Sequence, residues 1–272
     1  MKVGLALGGG GARGFAHIGV MRAMEERGIE PVAVAGCSMG GIVGAFIANG
    51  IASADIREAF ADLKAISLFD WSSKGGLIGG KGLEKQFARH LPERIDQLQL
   101  PFRSTAVDIQ NGRPFIFFEG ELVPALRATS AVPGVFSPVE HNDRVFVDGG
   151  LLVNVPIEEV RSMTTRPVLA VDVTPPPDRK LIFEDNRSFL EKLRAPLQSG
   201  KRPLFMELLM KAYEIPAAIL NDVRVAALRP EIHIKPKLDP DLKPEDFDKM
   251  DEAIEAGYSA AVEVLDTLDL ET

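Results

Sequence analysis

The sequence predicts an α/β protein in which a parallel sheet is covered by helices. Three observations carry this. Residues 3–7 (Val-Gly-Leu-Ala-Leu) and 32–35 (Val-Ala-Val-Ala) are short apolar runs of strand length. Each leads through glycines into a helix-like segment, so the chain begins β-α-β-α, the pattern of parallel strands with crossover helices. With 272 residues, 46% of them apolar, the chain can bury a substantial core.

After the first strand, residues 15–27 place Phe15, Ile18, Met21 and Met24 near helical spacing, and Gly28 ends the run. The second helix spans 38–49 and stops at Gly50. Residues 53–66 read as an amphipathic helix, with Ser53 as N-cap and Ile56, Phe60 and Leu63 on one face. A loop at 67–81 and a helix at 82–91 follow. Residues 104–109 and 114–118 read as strands joined through Asn111-Gly112, a strong hairpin turn. A helix at 121–130 precedes a strand at 144–147, which ends on Asp148-Gly149-Gly150. Helix 157–164 and strand 167–173 come next, and Pro175-Pro176-Pro177 marks a break. Residues 178–230 are helical in pattern and richer in charge. A short strand at 231–234 precedes a long helix at 244–268, whose Phe247, Met250, Ile254, Tyr258, Ala261, Leu265 and Leu268 keep to one stripe suited to packing on the same sheet. The reading is one domain, 1–272, with a helical insertion at about 178–230.

Charge narrows the function. The chain carries 31 basic and 39 acidic residues, a formal net charge of -8. That argues against nucleic acid as a partner, which needs a cationic surface, and against bulk attraction to anionic lipid. The single cysteine, Cys37, excludes an internal disulfide and fits a reducing compartment. No signal-peptide pattern and no run of ~18 apolar residues is present, so a cytoplasmic protein is expected.

The chemistry centres on Gly36-Cys37-Ser38-Met39-Gly40. This is a G-x-S-x-G nucleophile elbow in its required setting of strand, tight turn and helix. A serine at the tip of such a turn is crowded from both sides, so the flanking positions need glycine. Its hydroxyl is then exposed, and the next residue, Met39, turns its N–H toward a forming oxyanion.

The earlier cluster Gly8-Gly9-Gly10-Gly11-Ala12-Arg13-Gly14 spells G-x-G-x-x-G through Gly9, Gly11 and Gly14. A dinucleotide turn would require an acidic residue at the end of the second strand, where this chain has Gly36-Cys37-Ser38. The better account is a nest of glycine N–H groups facing Ser38, preorganised for negative charge, with Arg13 bracing the loop or adding positive potential. A second glycine run, residues 75–82, resembles a phosphate loop but has Gly82 where Ser or Thr belongs and follows no strand. It reads as a loop at the mouth of the site.

A Ser–His–acid triad would use His233, the only histidine after Asp148, yet Ile232-His233-Ile234 reads as a strand with the imidazole outward. Asp148 is the stronger partner for Ser38. It ends an apolar strand, and Gly149 and Gly150 let the backbone bring its carboxylate close to another group. A partly desolvated carboxylate is basic enough to serve as the general base. No metal-ligand spacing is present, and neither metal nor cofactor is expected.

Together, the Gly9–Gly14 loop with Arg13, the Gly36–Gly40 elbow and the Asp148-Gly149-Gly150 triplet resemble the patatin-like phospholipase family in type and order. The block Ala128-Thr129-Ser130-Ala131-Val132-Pro133-Gly134-Val135-Phe136-Ser137-Pro138 is similar to a further family signature. The resemblance covers residues 1–175 well, 178–230 poorly and 231–268 weakly. It implies a three-layer α/β sandwich with a mixed, mostly parallel sheet and helices on both faces. It also implies a Ser38–Asp148 dyad without histidine, an oxyanion hole from Gly9, Gly10 and Gly11, and hydrolysis of lipid acyl esters of phospholipase A or lysophospholipase type through an acyl-serine. Cys37 and Met39 occupy tolerant positions, and Gly150 stands where many members carry alanine.

Residues 187–202 carry five basic side chains and Glu191 as their only acid; Leu204, Phe205, Leu208, Leu209, Ala212, Ile215, Ala218 and Ile219 then form an apolar stripe broken by Pro216. This suits peripheral contact with a bilayer or the capping of an acyl channel. The plainer alternative is a helix pair packed on the sheet or on a second subunit of a homo-oligomer. The expected function is a serine acyl hydrolase. The rivals are a lipid-binding regulator with little turnover and a nucleotide-dependent oxidoreductase.

Overall fold

The computed structural model describes residues 1–61, 81–175 and 204–268. Its centre is built by β1 (Lys2–Leu7) and β2 (Glu30–Cys37), which run parallel with Leu7 opposite Gly36. β7 (Val168–Val171) continues the parallel array on the other side of β1, and β8 (Ile232–Ile234) lies beyond it. β3 (Phe102–Asp108) pairs in parallel with β2. Three antiparallel strands complete the sheet: β4 (Arg113–Phe117), β5 (Val139–His141) and β6 (Arg144–Asp148). The order is β5-β6-β3-β2-β1-β7-β8, with β4 also on β3, a mixed and mostly parallel sheet as expected.

The register of β3 sets up the site. β4 occupies one edge of β3 from Ser104 to Asp108. On the opposite edge β2 pairs only as far as Thr105, opposite Cys37, and β6 takes over at Ala106, opposite Asp148. The carboxyl ends of β2 and β6 therefore meet end to end. Ser38, the residue after β2, and Asp148, the last of β6, are brought together by strand pairing alone.

Helices cover both faces. They are α1 (Ala16–Glu26), α2 (Met39–Ala48), α3 (Ser53–Ala61), α4 (Lys81–His90), α5 (Leu122–Thr129), α6 (Ile157–Arg161), α7 (Leu204–Leu228) and α8 (Met250–Leu265). Alternation along the strands divides the core, as a two-faced sheet requires. Leu5 and Leu7 join Phe15, Phe46, Leu126 and Ile254 in the larger cluster. Ala6, Ala35 and Ala170 face Val160 and Val225 in the smaller one. α8 lies along α1 and reaches β8. The crossing is close because both helices offer glycine: a Cβ at Gly19 would stand 1.8 Å from the Ile254 carbonyl oxygen, and one at Gly257 2.0 Å from that of Ala16.

Several expected elements shift. The final α-helix starts at Met250, after a 3-10 turn (Phe247–Lys249), rather than at 244. α6 ends at Arg161, not 164. Ser53 does not cap α3 as expected; it opens the helix and its hydroxyl donates to Glu25 Oε2 at 2.5 Å. β5 was not anticipated. It pairs with β6 through Asn142 and Asp143, both at positive φ, in a turn that the polar run conceals. Leu63, residues 75–80 of the second glycine run and the basic lead-in at 187–202 lie outside the described residues.

Candidate active site

Ser38 sits at the junction of β2 and α2 with φ 51 and ψ -125. A non-glycine residue in that region is strained, and such strain persists only where the surroundings enforce it. Two glycines make the turn sterically feasible. A Cβ at Gly36 would lie 2.2 Å from the Gly40 carbonyl oxygen, and a Cβ at Gly40 would lie 2.3 Å from that of Leu7. The Ser38 amide donates to Thr129 Oγ1 at 2.9 Å, which ties the elbow to the end of α5.

Asp148 is buried, and the Ser38 hydroxyl is among the neighbouring groups that favour its ionised form. Its Oδ1 accepts from the Gly150 N–H at 2.7 Å, from the Tyr213 hydroxyl at 3.3 Å and, more weakly, from the Cys37 thiol at 3.6 Å. Burial pushes the Asp148 carboxyl above the usual aspartate range, and these four groups pull back against it. The backbone holds the aspartate too, its N–H donating to the Ala131 carbonyl at 3.0 Å. Gly149 packs on β3 so tightly that a Cβ would come within 2.4 Å of the Thr105 carbonyl oxygen.

The glycine loop lies beside this pair, and its amides have different fates. The Gly9 N–H donates to Asn154 Oδ1 at 3.0 Å, while Asn154 Nδ2 donates to the Gly9 carbonyl at 3.3 Å and to Thr174 Oγ1 at 2.7 Å. The Gly9 amide is thus bonded to Asn154, while Gly9 itself packs on the serine, where a Cβ would stand 2.9 Å from Ser38 Cβ. Gly9, Gly10 and Gly11 all line the cavity. Gly11 adopts φ +58, and a Cβ there would lie 2.5 Å from the Pro244 carbonyl oxygen. Gly14 closes against Met39, where a Cβ would stand 2.4 Å from Cγ. Arg13, only 2% exposed, also lines the cavity, so it is not a solvated helix residue. His17 is buried behind the loop, its Nε2–H donating to the Gly8 carbonyl at 2.7 Å.

Ser38 and Asp148 open onto a cavity of about 160 Å³. Met39, Ile42, Phe60, Val132, Phe136, Met210 and Phe247 give it mainly apolar walls. Among the described residues, none of the four histidines lines it, and His233 stands on β8 with its side chain outward. The expected site residues therefore converge. Three contributors were not anticipated. Thr129 was visible only as part of a signature block, Asn154 follows the aspartate triplet without a motif of its own, and Tyr213 comes from α7, where no motif lies.

The chain has relatives among known proteins. A model of the patatin-like phospholipase family matches residues 5–161. An uncharacterized NTE family protein of Mycobacterium bovis is 37% identical over 176 residues, covering 63% of this chain and 49% of that protein. Lysophospholipase NTE1 of Cryptococcus neoformans is 32% identical over 186 residues, covering 63% of this chain and 11% of that protein. The chain thus spans about half the length of the mycobacterial relative, and far less of the fungal one. The crystal structure of VipD from Legionella pneumophila superposes with a TM-score of 0.61 at 15% identity, over 98% of this chain and 66% of that one, a likeness of fold. The family match runs from within β1 to the end of α6, taking in the glycine loop, the elbow and the aspartate triplet, and this chain belongs to the patatin-like phospholipase family.

Proposed function

We propose that this protein hydrolyses carboxylic esters of lipids, of lysophospholipase or phospholipase A type, with Ser38 as nucleophile and Asp148 as general base. The observation that carries the reading is the placement of the strained Ser38 and the buried Asp148 side by side at the end-to-end junction of β2 and β6, both lining an apolar cavity. Asp148 takes the hydroxyl proton as Ser38 Oγ attacks the ester carbonyl. The N–H groups of Gly10, Gly11 and Met39 are the candidates to receive the oxyanion, and one such donor is worth roughly 3 kcal/mol in the transition state. Gly9, held by Asn154, fixes the loop. Asp148 then returns the proton to the departing alcohol, leaving an acyl-serine. Water attacks that ester, gives its proton to Asp148, and the fatty acid leaves as Ser38 recovers its proton.

The apolar lining supports an acyl chain as the group bound, and the fungal relative's name, a lysophospholipase, supports the ester class. Contact with a lipid surface is supported by the outer face of α7, where Leu209, Ile215, Ile219, Leu220 and Val223 are exposed. Among the described residues, no helix is long and apolar enough to cross a membrane. The test is hydrolysis of p-nitrophenyl butyrate and lysophosphatidylcholine by Ser38→Ala and Asp148→Asn, each checked for folding. Both are expected to be inactive. Turnover by folded Ser38→Ala would overturn the mechanism.

A further inference from the structure

The hydroxyl of Tyr213 enters the site from α7, which lies outside all three motif segments, and bonds Asp148 Oδ1. The same oxygen takes the Gly150 N–H. A methyl group on residue 150 would stand 2.9 Å from Tyr213 Oη and 3.0 Å from Asp148 Oδ1. Contacts that short force a shift. Gly150 is not among the glycines at positive φ, so backbone conformation does not explain it. The space left by its missing side chain is the space the phenol oxygen approaches through.

The helix that carries Tyr213 is anchored again at Asn221, which is buried. Its Nδ2 donates to Asp172 Oδ2 and to Thr174 Oγ1, both at 3.2 Å. Thr174 in turn accepts from Asn154, the residue that holds Gly9. One face of α7 is therefore keyed to both halves of the site, the base through Tyr213 and the glycine loop through Asn221.

Resting on the dyad reading above, we propose that Tyr213 is the positioning residue that holds the Asp148 carboxylate ready to take the Ser38 proton, and that glycine at 150 is what admits it. The Gly150 N–H and the Tyr213 hydroxyl, with the weaker Cys37 thiol, converge on one oxygen and fix the rotation of the carboxyl group about its Cβ–Cγ bond. All three favour the ionised form. Burial and the neighbouring Asp148 push the Tyr213 phenol well above its ordinary range, so it stays a donor. The groups that face Asp148 are Cys37 and Ser38 from the end of β2, the Gly150 amide, and Tyr213 from α7. Arg13, Glu214 and Glu245 are the charged residues lining the same cavity.

The test uses p-nitrophenyl butyrate hydrolysis across pH with Tyr213→Phe, Gly150→Ala and the double variant. Tyr213→Phe keeps the ring and loses only the donor. Its kcat is expected to fall about tenfold, as for one hydrogen bond to a charged group, with KM little changed. The acidic limb of its pH profile should move up by about half a unit, because the ionised base has lost a donor. Gly150→Ala should lower kcat as well. The double variant should be no worse than the poorer single, since the added methyl then fills the room the hydroxyl vacates. Wild-type kcat and an unmoved acidic limb in Tyr213→Phe, or losses that multiply in the double variant, would overturn the proposal. Failure of the dyad itself would show separately, as retained activity in Ser38→Ala or Asp148→Asn.

Discussion

The backbone N–H of Ser38 donates to Thr129 Oγ1 at 2.9 Å, and this bond joins the elbow to the segment that also pins Asp148. Two residues past Thr129, the Ala131 carbonyl accepts the Asp148 N–H at 3.0 Å. The end of α5 is thus a bracket that holds nucleophile and base at a common distance, from behind.

Thr129→Val keeps the volume and removes the acceptor. The Ser38 amide is then buried without a partner, which costs about 1–3 kcal/mol. Urea unfolding should report that loss, and the rate of fluorophosphonate labelling should fall with it. Unchanged stability and labelling would mean that the bracket is incidental.

Asn154→Ala frees the Gly9 amide and carbonyl together. The loop should loosen where preorganised donors matter, so kcat is expected to drop by about 10–100-fold with a smaller change in KM. Steady-state kinetics on a short ester separate the two.

His17 predicts acid sensitivity. Burial lowers its pKa from 6.5 to about 4, against the raising effects of its bond to the Gly8 carbonyl and of Asp172. The unfolded chain therefore binds the proton more readily. Stability from this group is full above pH 6.5 and is lost as pH falls toward 4, by about 3 kcal/mol at most. Asp148, raised by burial, contributes in the opposite sense as it ionises with rising pH. Comparing unfolding free energies of wild type and His17→Gln at pH 7 and pH 5 isolates the histidine, and the variant should lose less on acidification.

The exposed stripe of α7 gives a prediction about lipid surfaces. Ile219 and Val223 are 52% and 61% exposed. Ile219→Lys with Val223→Asp should reduce co-sedimentation with phosphatidylcholine vesicles while leaving turnover of a water-soluble ester within about twofold, since surface changes rarely perturb folding. Equal sedimentation by both proteins would remove α7 as the contact.

Much of this was legible because it is local. A strand, a strained turn and a helix are written within a dozen residues around Ser38, and the glycines at 36 and 40 are steric requirements of that turn. The Asn111-Gly112 hairpin likewise declared itself, with Gly112 at φ +63. What escaped is nonlocal. Asn154 meets Gly9 across 145 residues and Tyr213 meets Asp148 across 65, and no spacing rule encodes either contact. The bond from the Gly9 amide to Asn154 is the first of these. Ser53 misled for a different reason: a serine before an apolar run reads as a cap, but a glutamate from α1 claims its hydroxyl.

The most direct measurement is mass mapping of the protein after reaction with a fluorophosphonate probe. A single adduct on the peptide containing Ser38 is expected, absent in Ser38→Ala and formed far more slowly in Asp148→Asn. An adduct on another residue, or labelling undiminished in Ser38→Ala, would contradict the dyad.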